Sequence, residues 1–203
     1  MKKITTDGEN ILMFVDENTK IKDVFNKFKQ VESDINQHLF TLYLLAKDCN
    51  HVTEMGSRWG HSTFSILSSG VNQFIAYDLD MNDNIEIAFD MSIKENINFQ
   101  FNKKNVLEVD IEKTDMLFID TWHKYGQLKE ELKLHSKNVN KYIVLHDTTS
   151  YENRAEPDWG VYQDIKPLPS GKSGLWPAVE EFLLENKDWE ISMRYTHNNG
   201  LTI

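Results

Sequence analysis

The chain has 203 residues, 40% hydrophobic and 27% charged, with a formal net charge of −10. That length fits one domain and is short for two, and the acidic balance argues against a nucleic-acid partner, which needs clustered Lys and Arg. A single cysteine, Cys49, excludes an internal disulfide and a thiolate metal cluster.

Residues 1–20 carry charge where a secretion signal would carry an apolar core, and they read as an irregular, partly extended arm. The longest apolar stretch, around His38–Ala46, is far below the ~20 residues that cross a bilayer. A cytoplasmic protein without a membrane partner is therefore expected.

From Val24 the apolar positions run Val24, Phe28, Val31, Ile35, Leu39, Leu42 and Leu45, in steps of three and four. This spacing places them on one helical stripe, a helix or helix pair that covers a sheet. His51–Met55 follows as a short strand ending at Gly56, then a helix from Gly60 to Ser69. Gln73–Tyr77 is a strand that runs into Asp78, Ile85–Glu95 a helix, and Ile97–Phe101 a strand. Met116–Ile119 is a continuous apolar strand ending in Asp120, Tyr125–His135 a helix, and Tyr142–Leu145 a strand ending in His146 and Asp147.

Residues 148–176 have no period and hold Pro157, Pro167 and Pro169 together with Tyr151, Trp159 and Tyr162. A loop that long in a compact domain tends to be functional, and it reads as a lid. Pro177 suits the first turn of a helix. Trp189–Tyr195 alternates as a strand, and Asn198-Asn199-Gly200 turns it into a last strand, Leu201–Ile203.

Strands alternating with helices predict an α/β fold with a mostly parallel sheet covered on both faces and an antiparallel hairpin at its end. In such sheets ligands bind beyond the carboxyl ends of the strands. Gly56, Asp78, Asp120, His146 and Asp147 all stand at strand ends and are expected to converge on one crevice.

The first of these ends is a glycine loop, Glu54-Met55-Gly56-Ser57-Arg58-Trp59-Gly60-His61-Ser62-Thr63. Glycine there permits a sharp turn and a close ligand, and the helix N-terminus behind it offers free N–H groups. Asp78 lies 22 residues after Gly56, the distance at which a carboxylate meets a ribose. The loop is not Gly-x-Gly-x-x-Gly, so it makes less provision for a dinucleotide pyrophosphate.

Glu54-x-Gly56-x-x-x-Gly60-x-Ser62-Thr63 resembles the first motif of class I S-adenosylmethionine-dependent methyltransferases. Phe118-Ile119-Asp120-x-x-His123-x-Tyr125 and Val144-Leu145-His146-Asp147-Thr148 look like a branch with small-molecule and sugar O-methyltransferases and cephalosporin-hydroxylase-like proteins. Gly174-Leu175-Trp176-x-Ala178-Val179-x-x-Phe182 and Asn198-Asn199-Gly200-Leu201-Thr202 also fit, so the likeness spans Val52 to Ile203. It departs at Asn138-Val139-Asn140-Lys141, where a Gly-Gly turn is usual, and at Arg58 and Trp59, which are bulky for the loop.

The resemblance implies a Rossmann-like three-layer sandwich with a seven-stranded sheet, residues 51–203 binding S-adenosylmethionine and residues 1–50 serving as arm and covering helices of the same domain. By the same resemblance Glu54, Gly56, Ser57, Arg58, Trp59, Gly60 and Ser62 line the cofactor, Asp78 holds the ribose, Asn105 sits beside the adenine and Asp120 faces the donor. Asp120 and Asp147, with His146 as a third candidate, suit Mg²⁺ or another hard divalent ion. His123, His146 and Asp147 are the catalytic candidates, either imidazole serving as general base. The expected partner is a small-molecule acceptor, a homodimer is a candidate assembly, and the expected reaction is O-methylation. A cofactor-binding protein of the same fold without turnover, and nicotinamide chemistry, are the alternatives.

Overall fold

The computed structural model describes residues 2–157 and 171–203. Its elements in chain order are β1 (Lys2–Thr5), β2 (Ile11–Val15), α1 (Ile21–Phe28), α2 (Leu39–Lys47), β3 (His51–Met55), α3 (His61–Ser68), β4 (Gln73–Asp78), α4 (Asp83–Lys94), β5 (Asn98–Lys103), β6 (Thr114–Ile119), α5 (Tyr125–His135), β7 (Val139–His146), α6 (Trp176–Glu185), β8 (Arg194–Tyr195) and β9 (Leu201–Thr202). Strands β3 to β9 form one sheet in the order β5-β4-β3-β6-β7-β9-β8. β3 pairs in parallel with β4 and β6, and so do β4 with β5 and β6 with β7, whereas β9 is antiparallel to both its neighbours.

Period-2 alternation divides the strand side chains between two cores. Val52, Phe74, Ala76, Met116, Phe118 and Val144 face α1 to α4, and Phe118 and Val144 are wholly buried there. Met55, Ile75, Leu117, Ile119, Ile143 and Leu145 face α5 and α6. Burying each large apolar side chain stabilises the sandwich by about 1.5–3 kcal/mol. With both faces covered, the polar work of the sheet is left to the strand ends.

Local chemistry sets the boundaries. α4 starts at Asn82, whose side chain accepts from the amides of Asn84 and Ile85. Pro177 lies in the first turn of α6. Between β8 and β9, Asn198 and Asn199 have φ of +46° and +68°, the left-handed pair that a tight hairpin needs.

Two expectations, for residues 1–20 and 189–195, need correction, and two other readings are resolved. Residues 2–15 are a β-hairpin: Asp7 accepts from the amides of Glu9 and Asn10, Gly8 has φ of +89°, and β1 pairs with β2. Local turn chemistry overrode the polar composition. The stripe from Val24 to Leu45 is the helix pair of the two alternatives, because Ser33 and Asn36 bond to the backbone between them and offer it an alternative to the helix. The strand expected over 189–195 is paired as strand only at Arg194–Tyr195. No glycine turn is needed before β7, since a 3₁₀ turn at Ser136–Asn138 leads directly into Val139. The lid reading rests partly on Trp159 and Tyr162, which lie outside the described residues. Among the described residues no helix is long and apolar enough to cross a membrane.

Candidate active site

The parallel pairing brings the carboxyl ends of β3, β4, β6 and β7 to one edge of the sheet, and every strand-end residue singled out above lies there. Gly56 leaves β3 with φ of +87°, and a Cβ on it would stand 2.0 Å from the carbonyl oxygen of Asp120. Only glycine lets β3 pass so close to the end of β6. Gly60, at φ of +82°, is the N-cap of α3.

Asp78 closes this loop from β4. Its Oδ2 accepts from the amides of Ser57 at 2.7 Å and Arg58 at 2.8 Å, and its Oδ1 accepts from Leu79 at 2.6 Å. Glu54 is fully buried beneath the loop, and its Oε2 accepts from the hydroxyls of Ser57 at 2.9 Å and Thr63 at 2.6 Å. Burial pushes its carboxyl up to about 7 against the opposing hydroxyls of Ser62, Thr63 and Ser57. Its Oε1 is buried without a hydrogen-bond partner.

Arg58 and Trp59 do not crowd the loop as their bulk suggests. The Arg58 guanidinium turns outward to Asp34 Oδ2 at 3.0 Å, with its side chain 74% exposed. The Trp59 ring packs on Gly8, where a Cβ would meet it at 2.4 Å, and the Trp59 carbonyl accepts from Asn84 Nδ2. Asn84 also bonds the backbone of Thr5, so the N-terminal hairpin is tied to the glycine loop. Asn105 caps a 3₁₀ turn through the amide of Leu107.

The second group lies at the ends of β6 and β7. Asp147 has φ of +60°, which turns the chain sharply after His146. His146 Nδ1 stands 3.3 Å from Asp120 Oδ2 and 3.4 Å from Asp147 Oδ2, without the alignment of a hydrogen bond. Its Nε2 is 3.2 Å from the carbonyl oxygen of Asp34. A carbonyl only accepts, so Nε2 carries the hydrogen and Nδ1 is the atom turned to the two carboxylates.

His123 completes the cluster. Its Nε2 is 2.9 Å from Asp147 Oδ2 and 3.2 Å from Asp120 Oδ1, and its Nδ1 is 2.9 Å from Glu156 Oε2. Its ring stacks on Tyr151 with centroids 4.7 Å apart. Burial would lower both imidazoles, but the surrounding carboxylates outweigh it: His123 is held well above its ordinary value and His146 is raised to about 10. Burial likewise opposes ionisation of Asp120, and the facing His146 and His123 overcome it and hold that carboxyl below the usual range.

Ligand atoms of Asp120, His146 and Asp147 lie within 4.8 Å of one another. Bonds of about 2.0–2.6 Å to a hard divalent ion match that span. Asp147 Oδ1 and His146 Nδ1 are buried without hydrogen-bond partners, and a cation bound there would displace the proton that the carboxylates otherwise keep on Nδ1. Hydrogen bonding of the far imidazole nitrogen to a carbonyl is the usual support of a metal-binding histidine.

Three contributors to this site carried no readable signal: Glu156, in the aperiodic stretch after β7, Asp34, between α1 and α2, and Glu131. Glu131 is fully buried on α5, accepts from Thr121 Oγ1 at 2.6 Å and Gln127 Nε2 at 2.7 Å, and is pushed up to about 7 by burial. It sits four residues before His135 on a helix face that reads as ordinary packing. His38, His51, His61 and His135 bond backbone carbonyls, in keeping with packing roles.

No known protein-family profile matches the chain, and no curated protein matches it. Solved structures do. A Staphylococcus aureus protein assigned as a caffeoyl-CoA O-methyltransferase is 15% identical, with a TM-score of 0.57 over 92% of this chain and 91% of the other. The Podospora anserina methyltransferase PaMTH1, solved with S-adenosylhomocysteine, is 12% identical, with a TM-score of 0.51 over 94% and 97%. A ribosomal protein L11 methylase of Lactobacillus delbrueckii subsp. bulgaricus is 13% identical, with a TM-score of 0.51 over 81% and 76%. The chain thus has the Rossmann-like fold of class I S-adenosylmethionine-dependent methyltransferases.

Proposed function

We propose that this chain transfers the methyl group of S-adenosylmethionine to a hydroxyl of a small molecule, with Asp120, His146 and Asp147 holding a divalent cation beside the acceptor. One observation carries the reading: the backbone contact of Gly56 with Asp120 joins a glycine loop closed by Asp78 to a buried carboxylate–imidazole cluster. A donor pocket and an acceptor pocket would then share a wall. The fold is common to methylases with very different acceptors, so the small-molecule assignment rests on the cluster, whose carboxylates and imidazole suit a divalent ion that would bind an acceptor oxygen.

The unpartnered Oε1 of Glu54 beneath the glycine loop fits a bound donor. S-adenosylmethionine, when bound, supplies the electrophilic methyl. Asp78 offers its carboxylate to the ribose hydroxyls, and Glu54 orients the Ser57 and Thr63 hydroxyls beneath the loop. A divalent ion, when bound, lowers the pKa of a hydroxyl that it contacts. A cation held by Asp120 and Asp147 would offset the carboxylate charge that keeps His123 protonated and free its Nε2 to take the proton of that hydroxyl, while Glu156 on Nδ1 fixes the ring. Alignment of the nucleophile with the methyl carbon and sulfur is the remaining requirement.

Titration calorimetry with S-adenosylhomocysteine tests the donor half, and absence of binding at millimolar ligand would overturn the reading. Radiolabelled methyl transfer to a panel of catechol, sugar and polyketide hydroxyls, with Mg²⁺ or with EDTA, tests the acceptor half. Donor binding with no transfer to any hydroxyl would favour a binding protein of the same fold.

A further inference from the structure

The turn between β8 and β9 reaches across the molecule. Asn198 Nδ2 donates to the carbonyl of Ser33 at 2.7 Å, and Asn198 Oδ1 accepts from the amide of Gln37 at 2.9 Å. His38 Nε2 adds contacts of 3.0 and 3.1 Å to the carbonyls of His197 and Asn198. Residues 33–37 form no regular helix, so these bonds to a turn 161 and 165 residues away hold the segment.

Asp34 lies between the two residues that Asn198 grips, and its carbonyl faces His146 Nε2 at 3.2 Å. The carbonyl belongs to the backbone, so its position depends on how the segment is anchored. The hairpin does not need the Asn198 side chain for its own closure: the Gly200 amide donates to the His197 carbonyl, and the Thr149 and Ser150 amides donate to the Asn199 carbonyl. The side chain is spent on the distant segment.

We propose that Asn198 is a positioning residue: by fixing residues 33–37 it holds the Asp34 carbonyl on His146 Nε2 and so presents Nδ1 to the cation between Asp120 and Asp147. The inference rests on the reading that this trio binds a divalent ion. Sequence separation hides the relation completely, since the anchor, the carbonyl and the imidazole lie in three different parts of the chain. Loss of a partner that orients a metal-binding histidine weakens metal affinity by about 10- to 100-fold.

The test uses Asn198→Gly, because glycine adopts the φ of +46° found there and removes only the side chain. In ¹⁵N-histidine-labelled protein, with His146→Gln identifying the resonance, His146 shows an Nε2–H proton protected from solvent exchange. Asn198→Gly is expected to lose that protection, to bind Mg²⁺ about tenfold or more weakly by calorimetry, and to retain S-adenosylhomocysteine affinity. Unchanged protection and unchanged Mg²⁺ affinity would overturn the proposal. If Asn198→Gly fails to bind S-adenosylhomocysteine, Asn198→Asp decides: it keeps the acceptor for Gln37 and loses the donor to Ser33, and wild-type behaviour in both readouts would again overturn the proposal. Wild-type protein that binds no divalent ion sinks the cation reading of the preceding subsection, and the Nε2–H protection then decides the positioning claim alone.

Discussion

The carbonyl oxygen of Asp120 occupies the place where Gly56 would carry a Cβ, 2.0 Å from that ideal position. The contact locks the end of β3 to the end of β6. It makes the geometry of the glycine loop depend on the strand that leads into the Asp120–His123–His146–Asp147 cluster.

Gly56→Ala is therefore expected to harm more than the local turn. The methyl group meets backbone, which cannot swing away, and it also imposes a side chain at φ of +87°. A left-handed non-glycine residue alone costs about 1–3 kcal/mol. Calorimetric melting should show a loss of at least that size, and S-adenosylhomocysteine binding should disappear. A variant that melts and binds like wild type would show that β3 and β6 separate freely.

Asp78→Ala removes the carboxylate that holds the amides of Ser57 and Arg58 and is proposed to meet the ribose. Hydrogen bonds to charged groups contribute about 1.5–3 kcal/mol each, and these amides are partly solvated. S-adenosylhomocysteine affinity is expected to fall about tenfold or more, with Asp78→Asn in between. Calorimetry reads both, and equal affinity in all three proteins would remove Asp78 from the donor pocket.

Asp120→Asn and Asp147→Asn each take a charge from a pair that faces two imidazoles. Both are expected to abolish Mg²⁺ binding in the micromolar range and to reduce methyl transfer by at least about 100-fold, since such ions supply several kcal/mol. EDTA should do the same to the wild type, reversibly on adding Mg²⁺. Transfer that survives EDTA would remove the cation from the mechanism.

Glu131 provides a test by pH. Burial raises its carboxyl from 4.5 in the unfolded chain to about 7 in the fold, so the folded state holds the proton more tightly. The stability it contributes is complete below pH 4.5 and is lost as pH rises towards 7. That rise corresponds to about 3 kcal/mol. Glu131→Gln should gain on the wild type by about that amount between pH 4.5 and pH 8, read from denaturant melts at each pH. A difference between the two proteins that does not change with pH would show that Glu131 is ionised at little cost.

Much of this was legible from spacing alone. The wholly apolar runs at 116–119 and 142–145 marked buried parallel strands, and the polar residues that ended them came together because parallel pairing puts those ends on one edge. Asp120, His123, His146 and Asp147 meet as a cluster for that reason. Asp34, Glu156 and the long-range role of Asn198 were not legible, because they act from loops through isolated hydrogen bonds, which impose no period. Arg58 illustrates the same limit in reverse: bulk in the glycine loop suggested crowding, and only the position of Asp34 shows the side chain leaving the pocket.

The reversed strand β9 has a consequence for synthesis. Leu201 and Thr202 insert between β7 and β8, pairing with Leu145 and His146 on one side and with Arg194 and Tyr195 on the other. While residue 202 remains inside the ribosomal exit tunnel, the nascent chain keeps one side of β7 unpaired, next to the histidine of the cluster. The pocket is thus finished only once β9 has paired, and a chain cut short of these residues would leave an open seam on β7 beside the cluster and β8 with no strand to join.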